Sequence, residues 1–261
     1  MEISQLTAAI SNEGDSINNY AYEIRNLLIK NGFVSKIYVE HGGRFFGDSV
    51  KHYSECNPKN DDIMILHATI GSKLTNFFKS LKCKKIILFN NFTPAKFFNN
   101  MDEEKVNLLQ NYSLELKSLI NCADRVLTTS EFNKRDLEKI GFDRINIIPI
   151  FINFERFKKN EQSITKKFDD DFVNIIHVGR IVPNKKIEDI LKIFYYYNKF
   201  INPKSRLFLV GSEKQATIYY KSLLKYADKL KLDNVYFTGN INDSELAYYY
   251  KISDIFLYMS E

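Results

Sequence analysis

Two hydrophobic periodicities alternate along this chain. Short, nearly continuous apolar runs predict strands at Ile3–Leu6, Lys36–Val39, Ile63–Leu66, Lys85–Phe89, Arg125–Thr128 and Asn146–Pro149. Between the first two, Ile17, Tyr20, Ala21, Ile24, Leu27 and Leu28 recur at helical spacing, with Asp15 or Ser16 as cap and Gly32 as stop. The segment "TSEFNKRDLEKIGF" repeats this logic: Ser130 caps, Leu137 and Ile140 face inward, and Gly141 terminates. Strand, helix, strand in that order implies a parallel, doubly wound sheet.

The pattern changes after Phe151. "NFERFKKNEQSITKKFDDD" is polar and highly charged, and it reads as a linker over 156–171 between domains at 1–155 and 172–261. A second series follows. It has a strand in "FVNIIHVG", a helix from about Lys185 to Phe200, a strand in "RLFLVG" and a helix to about Leu232. The strand "NVYFTG", a helix from Ser244 and the strand "DIFLYM" complete it. The expected fold is α/β, with two facing Rossmann-like domains, the second incomplete with about four parallel strands. The triplets Tyr195–Tyr197 and Tyr248–Tyr250 fall inside helices and read as packing residues.

Composition narrows the class. Of 261 residues, 44% are hydrophobic and 26% charged, the balance of a water-soluble globular chain. No apolar run approaches the roughly 20 residues that cross a bilayer, and the N-terminus lacks the basic start of a secretory signal. The expected location is the cytoplasm. A net charge of +5 suits an anionic substrate or a loose hold on an acidic membrane surface, and is too small to argue for nucleic acid. Cys56, Cys83 and Cys122 lie far apart, as do His41, His52, His67 and His177, so no metal-ligand spacing is present and the thiols read as reduced.

Chemistry concentrates in "HVGRIVPNKK", residues 177–186. A buried strand runs into Gly179, where a ligand can approach the backbone. Arg180 can grip two phosphate oxygens, and Lys185, expected to open a helix, adds a point charge beside unpaired amides. The same residues also fit a solvated loop.

The wider stretch favours the phosphate site. "HVGRIVPNKKIEDIL", "LFLVGSEK" and "NVYFTGNINDSELAYYYKISDIFLYMS" resemble the donor-binding domain of family-4 glycosyltransferases, retaining enzymes of the GT-B type. Arg180, Pro183, Lys185, Val210, Gly211, Phe237, Gly239 and Asp254 fall on that pattern, whereas Lys186 stands where the family usually carries Gly. "GDSINNYAYEIRNLLIKNGF", "ILHATIGS" and "FNNFTP" are similar to the acceptor domain of a cell-surface polysaccharide subgroup. Gly14 and Asp15 match the loop after the first strand, and His67 the histidine after the third. Asn90 stands where a family histidine is expected, followed by Asn91 and Thr93.

The resemblance implies glycosyl transfer, with retention, from a UDP- or GDP-sugar to a saccharide or lipid-linked acceptor, with contact at the inner face of the membrane. No metal or separate cofactor is needed. Arg180 and Lys185 would neutralise the leaving diphosphate, while Gly179, Gly211, Gly239, Asn240 and Ile241 would line the nucleotide side. His67 and Asp15 would be catalytic, and Gly14, Asn90, Asn91 and Thr93 would form the acceptor-side loop. Plainer readings stand beside these: His67 as a buried strand-end histidine, Asp15 as a helix cap, Gly211 as a tight turn, and Asn90–Asn91 as turn formers.

Family members continue past "MS" with a first functional Glu two residues beyond Glu261 and a second eight further on. The resemblance therefore implies a C-terminally truncated chain, inactive alone, with Glu261 a bystander and Ile255–Met259 an exposed apolar sheet edge. The alternatives are a non-catalytic nucleotide- or glycan-binding relic or partner subunit and, with less support, a GT-B sugar-nucleotide epimerase.

Overall fold

The computed structural model describes residues 1–10, 16–42, 49–69, 71–157, 168 and 170–260. Gly14, Asp15, Glu261, the Ile17 side chain and most of the expected linker lie outside the described residues. The chain divides into two compact units, Met1–Asn153 and Phe154–Glu261.

The first unit alternates strand and helix. Its strands are β1 (Ile3–Ile10), β2 (Ile37–Gly42), β3 (Val50–His52), β4 (Ile63–Ala68), β5 (Lys84–Phe89), β6 (Arg125–Thr128) and β7 (Ile145–Ile147). The helices are α1 (Ser16–Lys30), α2 (Leu74–Ser80), α3 (Glu103–Lys117) and α4 (Glu131–Ile140). The strands form one parallel sheet in the order β3-β2-β1-β4-β5-β6-β7. Helical crossovers cover both faces, which is why β1 is buried along nearly its whole length, its polar Ser4, Gln5 and Thr7 included.

Local chemistry sets the helix ends. Ser130 Oγ accepts the Asn133 N–H at 3.2 Å to start α4. Gly141, at φ 113°, closes it by donating its N–H to the Leu137 carbonyl. One expectation is corrected, and one strand carried no sequence signal. Leu27, expected to face inward from α1, is 51% exposed, because it lies beyond the stripe set by Tyr20, Ala21 and Ile24. The short strand β3 has only one buried residue, Val50, and therefore no periodicity to read.

The second unit holds β8 (Val173–Val178), α5 (Ile187–Phe200), β9 (Ser205–Val210), α6 (Thr217–Lys229), β10 (Val235–Gly239), α7 (Asp243–Ile252) and β11 (Ile255–Phe256). These strands pair in parallel in the order β10-β9-β8-β11. Strand alternation divides its core. Ile175, Leu207 and Leu209 pack with α5 and α6 on one face, while Ile176, Phe208 and Val210 pack with α7 and Phe168 on the other. The Arg206 guanidinium is buried between the rings of Phe168 and Phe172 and donates to both Asp170 oxygens. This cluster fixes the entry to β8.

Asp254 has a structural task here. Its carboxylate accepts the Asn174 N–H at 2.8 Å, and its own N–H donates to the Asn174 carbonyl at 2.8 Å, which sets the register of β11 on β8. Among the described residues β11 is an edge, with Ile255, Phe256, Tyr258 and Met259 exposed, which agrees with the exposed apolar edge that the resemblance implied.

Candidate donor and acceptor sites

In the second unit the loops leaving β8, β9 and β10 are bound to one another. Gly179 donates to the Val210 carbonyl at 2.8 Å, Ile181 to the Ser212 carbonyl at 2.9 Å, and Gly211 to the Gly239 carbonyl at 3.1 Å. The approach is too close for side chains. A Cβ on Gly211 would stand 2.1 Å from the Gly179 carbonyl oxygen, and its φ of 147° already favours glycine. These backbones converge at the carboxyl ends of parallel strands, where ligands bind in open α/β sheets. Asn240 is exposed beside them, whereas Ile241 packs into the core face under α7.

Arg180 and Lys185 both project from this rim. Arg180 is exposed, and its Nη1 donates to Gln215 Oε1 at 2.7 Å, just past the β9 loop. The Lys185 ammonium donates to Tyr258 Oη and to Ser260 Oγ, each at 3.2 Å, and lies 5.3 Å from the centre of the Tyr258 ring. The buried turn residues Ile181, Val182 and Pro183 anchor the stem that carries both cations.

The helix-start expectation for Lys185 is corrected. Pro183–Lys185 forms a 3-10 turn, Lys186 follows in the left-handed region at φ 51°, and α5 begins only at Ile187. The first helical amide is occupied, since Ile187 N–H donates to the Tyr219 hydroxyl at 3.0 Å. That hydroxyl in turn donates to the Glu188 carboxylate, and Asp189 adds a second negative charge in the first turn. The first amide of α5 is thus taken up by Tyr219 of α6, and the cations of this rim are the side chains of Arg180 and Lys185. The left-handed Lys186 also explains why glycine suits that position.

In the first unit, His67 sits near the end of β4 and is 2% exposed. Its Nε2 lies 2.8 Å from Gln5 Oε1, and Gln5 Nε2 donates to the Ala21 carbonyl at 3.0 Å. The Gln5 amide is thereby oriented with its oxygen toward the ring, so His67 Nε2 carries the proton. Nδ1 is then the acceptor, facing Asn90 Nδ2 at 3.4 Å. Burial drives the His67 pKa down to about 4, so the ring is neutral. Asn90 Oδ1 is buried with no partner among the described residues. Asn91 adopts φ 69° and accepts the Phe92 N–H at 2.6 Å, a local turn that leads to the half-buried Thr93.

Helix α3, which carried no motif, braces this rim. Glu115 accepts from the Ser72 N–H and the Thr75 hydroxyl, both at 3.3 Å, and so holds the loop after β4. One turn earlier Tyr112 meets Phe92 edge-on at 5.0 Å and supports the loop after β5. A hollow of 190 Å³ lined by Leu119, Arg125, Val126 and Phe142 lies at the opposite end of the sheet, where β6 begins, away from His67 and Asn90. Residues missed by the sequence reading therefore include Gln5, Tyr112 and Glu115 here, and His177, Tyr258 and Ser260 in the second unit. Gln5 and His177 left a trace in the sequence, each as a polar residue inside a strand.

Residues 158–261 match the model of the family described as glycosyl transferases group 1. The glycosyltransferase YqgM of Bacillus subtilis is 30% identical over 129 residues, 49% of this chain and 33% of that protein. The matched segment thus spans about a third of that relative's length. Among solved structures, sucrose-phosphate synthase of Thermosynechococcus elongatus superposes with a TM-score of 0.71 at 15% identity, covering 98% of this chain and 74% of that one. HepE of Anabaena, solved in complex with UDP and glucose, superposes at 0.65 with 14% identity, covering 100% and 74%. At these identities the superpositions establish the GT-B fold.

Proposed function

We propose that this chain serves a group 1 glycosyltransferase of the GT-B type, moving a glycosyl group from a nucleotide diphosphate sugar to a saccharide or lipid-linked acceptor with retention. The carrying observation is the juxtaposition in the second unit. Gly211 and Gly179 meet backbone to backbone at the strand ends, and Arg180 and Lys185 rise from the loop that Gly179 begins. The match of residues 158–261 to the group 1 family and the likeness to a fold solved with UDP support the same reading.

The chemistry follows from charge. Breaking the bond between sugar and diphosphate leaves negative charge on the phosphate oxygens, and fixed cations there favour the transition state over the ground state. Arg180 supplies a planar fork and Lys185 a point charge. In the retaining scheme the acceptor hydroxyl attacks from the leaving group's side and passes its proton to a phosphate oxygen. In the first unit, His67 holds its Nδ1 lone pair toward Asn90, and we assign this rim, with Asn90, Asn91 and Thr93, to the acceptor side. The same assignment for Gly14 and Asp15 rests on sequence resemblance. An anionic membrane surface is the natural neighbour for a chain of net charge +5 that acts on a lipid-linked acceptor.

Calorimetric titration of the purified chain with UDP and with GDP tests the donor assignment. Binding of one of them, weakened at least tenfold by Arg180→Ala, is expected. No heat from either at millimolar nucleotide would sink it.

A further inference from the structure

The donor rim contains a cluster that no motif marks. His177, on β8, is fully buried, and its Nδ1 faces the Leu257 carbonyl oxygen at 3.0 Å. A carbonyl oxygen only accepts, so Nδ1 carries the proton and Nε2 keeps its lone pair. Nε2 is buried without a partner among the described residues, 3.3 Å from where a Gly179 Cβ would stand. The imidazole lies nearly parallel to the Tyr258 ring, with planes 20° apart and centroids 6.0 Å apart. The bond to Leu257 and the stack on Tyr258 together fix how the chain leaves β11.

That direction brings the Tyr258 hydroxyl to Lys185. Its oxygen accepts from the ammonium at 3.2 Å, while Ser260 Oγ accepts a second ammonium proton and donates its own to the Asn184 carbonyl at 3.1 Å. We propose that Tyr258 is a phosphate-side contact of the bound nucleotide diphosphate and that His177 is its positioning residue. This rests on the donor-site reading above. A lysine supplies charge with little angular preference, whereas a phenol supplies a directed O–H. An oxygen that accepts from a cation polarises its own O–H, so Tyr258 donates more strongly to an anion lying beside Lys185. Burial raises the Tyr258 pKa, but the Lys185 ammonium, through its hydrogen bond and its charge, outweighs it and leaves the phenol below its ordinary value. Burial first, and the Lys185 charge after it, keep His177 neutral, so no second cation competes for the phenol.

Titrations of the full chain and its variants with UDP and with uridine test the proposal. Lys185→Ala should weaken UDP and spare uridine, which checks the donor reading by itself. Tyr258→Phe, which keeps the stack, should weaken UDP about fivefold to tenfold and change uridine less than twofold. His177→Phe should act in the same direction, whereas His177→Asn, which can still donate to the Leu257 carbonyl, should recover most of the affinity. Ultraviolet difference titration of wild type against Tyr258→Phe should show a phenol below the ordinary tyrosine range, and in His177→Phe that difference should move toward the ordinary range. If Lys185→Ala weakens UDP while Tyr258→Phe leaves it unchanged, the role of Tyr258 is overturned and the donor reading stands. If neither variant alters UDP affinity, both fall. Equal losses for UDP and uridine in Tyr258→Phe would also overturn the phosphate contact.

Discussion

A Cβ on Gly211 would lie 2.1 Å from the carbonyl oxygen of Gly179, so the loops after β8 and β9 close only because residue 211 has no side chain. Gly211→Ala is expected to cost roughly 3 kcal/mol or more, since it adds left-region strain to a backbone overlap that no side chain can absorb. Urea unfolding measures this. A loss below 1 kcal/mol would mean that the loops separate easily, and UDP affinity should then show the displacement.

Lys186 holds φ 51° and ψ 46° between the 3-10 turn and α5. An L side chain in that region costs about 1 kcal/mol that glycine avoids. Lys186→Gly is therefore expected to stabilise the second unit by up to about 1 kcal/mol, seen as a rise of a few degrees in Tm. A fall in Tm would show that the Lys186 side chain contributes more than its conformation costs.

His67 predicts a pH dependence. Its pKa is lowered from 6.5 to about 4 by burial, so between these values the unfolded chain binds the proton and the folded chain does not. Stability is therefore full above about pH 6.5 and is lost as pH falls toward 4, by roughly 3 kcal/mol from this group. Comparing wild type with His67→Gln by urea unfolding from pH 8 to pH 4 isolates the effect. Parallel curves for the two proteins would show that His67 titrates like a solvated imidazole.

The Arg206 guanidinium is buried and Asp170 is its carboxylate partner. Leaving a buried charge unpaired is worse than removing it together with its need for a partner. Asp170→Ala is thus expected to lower Tm more than Arg206→Met, whose side chain refills the space between Phe168 and Phe172. The reverse order in a thermal melt would indicate that packing against those rings outweighs the charge.

Much of this fold was legible because most buried parallel strands, such as β4 and β9, are largely apolar runs and helices such as α1 and α5 carry an apolar stripe. The end of α4 could be read residue by residue, since Ser130 and Gly141 act through their own backbone neighbourhood. Gly179 and Arg180 could be picked out for a similar reason: a glycine after a buried strand, followed by a cation, is a local pattern. Strand β3 escaped because Val50 alone is buried, and Lys185 was misplaced because the left-handed turn at Lys186 leaves no hydrophobic mark.

Sequence by itself determined the alternation of elements, the two parallel sheets and the cationic rim at Arg180 and Lys185. Tertiary structure alone decided which groups that rim meets. Tyr258 reaches Lys185 across 73 residues, and Gln5 reaches His67 across 62. Propensity and periodicity act over a few residues, whereas hydrogen bonds and stacking act through space. Only folding brings such partners within range, so the tautomer of His67 and the partners of Lys185 had no local signature.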